Sequence, residues 1–205
     1  MLLLYFLALG LVVGRLSGGR LSRLGDVQFR WAGLALCGLM VQLALFAPPV
    51  ASRIGSAGPA LYVGSTAVVL AALLRNVRLP GLALVAVGAF SNLVAIVANG
   101  GFMPSAAAAW MGLNGVAALP TTDYSNSAIA GPGTLFPFLG DVFFLPRPIP
   151  FANVFSIGDV LIGIGAAWFL VQALHGLRGA GTPLTADPGK PPAGLSTGGT
   201  LAPHR

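Results

Sequence analysis

Five apolar runs, separated by stretches that carry most of the arginines, constrain this chain more than any other feature: 1–14, 31–47, 59–74, 80–98 and 157–174. A helix needs about 20 apolar residues to cross the hydrocarbon of a bilayer, and shorter runs are accommodated by local thinning and by flanking charges that reach the interface. Each run therefore reads as a transmembrane helix. Composition points the same way: 8% of the residues are charged and 56% are apolar, with Lys190 the one lysine and no glutamate anywhere. Water-soluble domains carry about 25% charged residues. The first run lacks a basic start and a small-x-small cleavage site, and Arg15 follows it directly, so it is expected to stay as a helix rather than leave as a signal.

Basic loops stay on the cytoplasmic side of a membrane. Arg15, Arg20, Arg23 and Arg30 fill the first connection, Arg75 and Arg78 the third, and Arg178, Lys190 and Arg205 the tail, which leaves Arg53 and Arg147 for the other face. Five spans with the N-terminus outside and the C-terminus cytoplasmic satisfy every connection together. The expected fold is an all-α integral membrane domain over 1–178, with a disordered cytoplasmic tail at 179–205 rich in Gly, Pro and Thr. The net charge of +6 then reflects topology and attraction to anionic lipid rather than nucleic-acid binding.

Between the fourth and fifth runs lies an outer loop, 100–156, too proline-rich to span and too aromatic to rest in water. It is expected to be partly membrane-embedded, with a short interfacial helix starting near Pro104. Loops of more than about 15 residues are usually functional or disordered, and this composition argues against disorder. A binding site is therefore expected here.

The polar residues are few enough to take singly. "SIGD" at 156–159 has the capping-box spacing, in which Ser156 accepts from a first-turn N–H while Asp159 reaches back to the N–H of Ser156. Asp141 and Arg147, six residues apart across "LPRPIP", are expected to pair as a lock for the loop or to hold a charged headgroup. Asn92 and Asn99 are two helical turns apart and share a face, where they either bond to neighbouring helices or line a polar cavity. Asn92, Asn99, Asp141, Arg147 and Asp159 are thus the candidate ligand-binding residues. Trp31, Tyr62 and Tyr5 read as interfacial anchors, and the lone Cys37 as a small buried residue. One cysteine and histidines only at 175 and 204 make no metal pattern, and no phosphate-cradling loop or nucleophile elbow is present. No catalytic residue, metal or cofactor is expected.

"SIGDVLIGIG" at 156–165 resembles the Gly-x-Gly-Asp segment of intramembrane aspartyl proteases, with Ser156 in place of the first Gly and the nearest second aspartate, Asp141, in the loop. A broader likeness covers more of the chain. "SNLVAIVANGGFMP" at 91–104 and "LGDVFFLPRPIPFANVFSIGDVLIGIGAAWFL" at 139–170 resemble a bacterial multi-pass membrane family known only as a domain of unknown function. That resemblance implies the bacterial cytoplasmic membrane and carries no activity. Three roles follow as expectations: a non-enzymatic subunit or scaffold with a membrane-protein partner or a second copy, a binder or transporter of a lipid or small apolar molecule, and an aspartate-dependent intramembrane enzyme.

Overall fold

The computed structural model describes residues 2–51, 53–115 and 126–177. All five apolar runs fold as helices: α1 (Leu2–Leu16), α2 (Ala32–Leu45), then, after the single turn α3 (Pro48–Ala51), α4 (Gly58–Arg75), α5 (Leu82–Ala98) and α7 (Ile157–His175), with the short α6 (Ala107–Asn114) inserted before the last. Two of these stretches, Gly55–Arg75 and Ile157–His175, are long and apolar enough to cross a membrane by length and composition. α1, α2 and α5 are apolar but shorter. The cytoplasmic tail expected at 179–205, with Lys190 and Arg205, and also Arg178, lie outside the described residues.

The helices pack in the order α2, α4, α5, α7, α1. Glycine sets the closest approach, between α5 and α7. A Cβ on Gly158 would overlap the Asn92 side chain and the Gly88 carbonyl, and one on Gly165 would overlap the carbonyl of Gly81. The backbones meet there because neither carries a side chain. Those pairings also fix direction: Gly88 lies at Gly158 and Gly81 at Gly165, so α5 and α7 are antiparallel, whereas Phe6 at Gly163 and Leu174 at Gly14 make α1 and α7 parallel.

The two ends of this bundle differ in chemistry. One end holds the loops that carry Arg20, Arg23 and Arg30 and the C-terminus of α7. There the Arg20 N–H donates to the Leu174 carbonyl (2.8 Å) and Arg23 Nη1 to the His175 carbonyl (2.6 Å), placing cations where the helix dipole is negative. Buried Asn76 ties the same end together, accepting from the Arg30 N–H (2.8 Å) and donating to the Arg30 carbonyl (2.7 Å).

The other end carries a cap, and here the all-α expectation is corrected. Residues 103–156 include a four-stranded sheet, β1 (Met103–Ser105), β2 (Ser127–Ile129), β3 (Asp141–Phe144) and β4 (Val154–Ser156), in the order β2-β1-β3-β4. β1 runs parallel to β2 and β3, and β3 is antiparallel to β4. Pro104 is accordingly in a strand, and α6 starts three residues later than the proline suggests. A proline is tolerated at this inner position because β3 pairs with β1 only from Ser105 onward, so no ladder bond is lost at residue 104. Ile96 and Met103 bury the junction between bundle and sheet, while Ala109 and Leu113 of α6 pack on Val154.

Candidate functional site

β4 runs straight into α7, and four hydrogen bonds tie the junction. Ser156 Oγ accepts from the Asp159 N–H (3.0 Å) and Asp159 Oδ2 accepts from the Ser156 N–H (3.0 Å), which closes the capping box. Asn92 on α5 completes it, its Nδ2 donating to Asp159 Oδ1 (2.9 Å) and its Oδ1 accepting from Ser156 Oγ (2.9 Å). Only glycine at 158 leaves room for this amide. Both oxygens of Asp159 are thus engaged in holding a helix end.

Asp141 stands directly opposite Ser156 in the β3–β4 ladder, which brings the Gly-Asp-Val at 140–142 beside the one at 158–160. Its Oδ2 accepts from the buried Ser105 hydroxyl (3.1 Å) on β1, and the residue is 8% exposed. Burial, and then the Asp159 carboxylate nearby, push the Asp141 carboxyl up to about 7, with the Ser105 hydroxyl offsetting part of that rise. Since the unfolded chain titrates at 3.8, the fold favours the protonated acid between those values.

The two aspartates border one cavity of about 450 Å³ between cap and bundle. Tyr62, Asn92, Trp110, Asn126, Asn153 and the apolar Ile96, Met103 and Leu113 are among its walls. Asn126 donates to the Tyr62 hydroxyl (3.2 Å). Trp110 Nε1 and Asn153 Oδ1 are buried without a hydrogen-bond partner among the described residues, an arrangement that costs about 1–3 kcal/mol per group unless something else supplies one. Among the described residues, no three His, Cys, Asp or Glu side chains gather as a metal ion would require.

Of the five candidate residues, the structure brings Asn92, Asp141 and Asp159 together and leaves two outside. Asn99 has its amide spent on the loop, donating to the carbonyls of Ala95 (2.7 Å) and Leu135 (2.8 Å) and accepting from the Leu135 N–H (3.0 Å). Arg147 does not pair with Asp141. Its Nε and Nη2 fork onto Asn114 Oδ1 (3.1 and 2.8 Å) at the end of α6, because Asp141 points inward under the sheet while Arg147 lies on the exposed turn beyond it.

Two other expectations also change. Tyr62 is a cavity wall rather than an interfacial anchor, and Cys37 is exposed on the outer side of α2, one residue before the glycine that meets α4. Trp110, Asn126, Asn153 and Ser105 were not legible as site residues. Short strands paired across long separations bring them in, and no local pattern announces such strands.

The site therefore defines a mostly helical protein with a small sheet over one end of its bundle and a partly open, acid-lined hollow between the two. Residues 26–171 match the model of DUF5317, described as a family of unknown function, and the chain belongs to that family. Every cavity-lining residue falls within the matched stretch. No curated protein and no solved structure matches the chain.

Proposed function

We propose that this is a five-span protein of the bacterial cytoplasmic membrane that binds a small molecule in the cavity beneath its outer cap, without chemical turnover. The membrane placement is carried by the outward faces of the helices. Leu9, Val12, Leu36, Leu43, Val87, Phe90 and Trp168 are all exposed, while Gln42 and Asn92 turn inward to bond to Thr66 and Asp159. Large apolar patches on that scale suit lipid and not water. Arginine at one end and the cap at the other support an N-terminus and cap on the outer face and a cytoplasmic C-terminus. Exposed Phe136, Phe138 and Phe151 give the cap an apolar rim suited to the headgroup zone.

Binding is carried by the cavity itself. It holds one carboxyl with an oxygen to spare, and two of its wall residues carry buried polar atoms without partners among the described residues. These features favour a ligand over a pure scaffold, whose core gains nothing from a hollow lined by acids. An aspartate-dependent hydrolase is disfavoured because Asp159 is committed to the helix cap through both oxygens.

Cys37 tests the membrane placement without mutation, since it is the chain's one cysteine. A membrane-impermeant maleimide should leave it unmodified in intact vesicles and label it after SDS denaturation; rapid labelling in intact vesicles would contradict the placement. Native mass spectrometry of gently extracted protein tests the binding. A retained small molecule that is lost from Asp141→Asn supports the reading, and identical bare spectra for both proteins oppose it.

A further inference from the structure

The acid-lined cavity has a neighbour. A second hollow, of about 230 Å³, is lined by Leu2, Leu3, Phe155 and Ile162, and it shares Asn153 and Asp159 with the first. The two spaces thus meet at one wall. The first is polar and aromatic, with two carboxylates and no Arg, Lys or His among the described residues that line it. The second is apolar apart from the shared pair.

We propose that the two hollows hold a single molecule, a one-chain amphiphile with a primary ammonium head, its head between Asp141 and Asp159 and its chain against Leu2, Leu3, Phe155 and Ile162. This rests on the binding role proposed above and names the class of ligand. An ammonium has three N–H donors and no acceptor, which matches the two acids: the Asp141 oxygen that Ser105 leaves free and the remaining lone pairs of Asp159. Such a head leaves the buried Trp110 indole N–H, a donor, unmatched. Tyr62 and Trp110 add aromatic surface to the same walls. An anionic head meets two acids there and no compensating cation among the described residues. Leu3 is 39% exposed at the start of α1, so the second hollow lies at the bundle's outer surface, where a chain reaches it from surrounding lipid.

The test uses the full chain in nanodiscs of neutral phosphatidylcholine, with binding of methylammonium, octylammonium and octanoate followed by tryptophan fluorescence and calorimetry. Each methylene buried is worth about fourfold in affinity. Octylammonium is expected to bind at least 100-fold more tightly than methylammonium, octanoate not to compete, and Asp141→Asn to weaken octylammonium at least tenfold. Leu3→Gln, at a partly exposed position, is expected to shrink the chain-length preference about tenfold, and it keeps the test open where the aspartate variant fails to fold. Equal affinity for methylammonium and octylammonium would overturn the amphiphile while leaving cavity binding standing. Equal competition by octanoate would overturn the cationic head. No saturable binding of any of the three would overturn this ligand class, and retention of another molecule in native mass spectra would show the binding role surviving it. A long-chain amine and an amine-headed lysolipid share the proposed chemistry, and the mass of the molecule that copurifies tells them apart.

Discussion

Asp141 and Asp159 sit in identical tripeptides and border one cavity, yet their oxygens meet opposite surroundings. Asp159 begins a helix: it receives the Ser156 N–H on one oxygen and the Asn92 amide on the other, and its charge lies where the helix dipole favours it. Asp141 is in a strand under the sheet, with one hydroxyl donor and a carboxylate for a neighbour. The first carboxyl is tied by fixed donors to a helix end, and the second is an acid that gains from a proton or a cation. Sequence identity over three residues therefore says little about role; the number of donors aimed at each carboxylate decides it.

The most severe way to break this contrast is to remove the clamp that serves only one side of it. Asn92→Ala takes partners from both Ser156 and Asp159 and leaves a gap at Gly158, so thermal or denaturant unfolding in detergent should register a loss of about 4 kcal/mol, from one buried and one part-buried group left short of a partner. Next comes Asp141→Asn. At pH 8 the native Asp141 is ionised against its preference, and the variant should be more stable there by about 2 kcal/mol, discounted from the full shift because the cavity admits water. The sign follows from linkage. A carboxyl whose folded pKa is raised binds more protons folded than unfolded, so wild-type stability should fall as pH rises from about 4 to about 7. That slope should flatten in the variant.

Smaller effects sharpen the comparison further. Ser156→Ala should cost about 1–2 kcal/mol through the lost cap, and Ser156→Thr should restore most of it. Cys37→Ser, on the outer face of α2, should change stability by under about 0.5 kcal/mol, and a large change would place that face against protein instead of lipid.

How much of this was legible in the sequence depended on how far apart the partners lie. The helices were readable because a continuous apolar run announces itself, and α7 begins at Ile157 as the 157–174 run suggests. The capping box was readable because Ser156 and Asp159 are three residues apart and act locally. The sheet was not, since its strands are only three or four residues long and Ser105 finds Asp141 across 36 positions. Arg147 misled for the opposite reason: nearness in sequence to Asp141 suggested a pair, but β3 carries the aspartate inward before the turn that bears the arginine. Tyr62 misled because a tyrosine near the start of an apolar helix has the same signature whether its hydroxyl faces headgroups or a cavity-wall partner such as Asn126.

The most direct test of the account is the titration of the Asp141 carboxyl itself, followed by carbon NMR of protein carrying labelled aspartate, with Asp141→Asn to assign the signal. The structure predicts a midpoint near 7, moved downward when an alkylammonium is added. A midpoint near the ordinary carboxylate value of 3.8, indifferent to added amine, would mean that Asp141 is neither buried against Asp159 nor available to a ligand, and the distinction between the two aspartates would collapse.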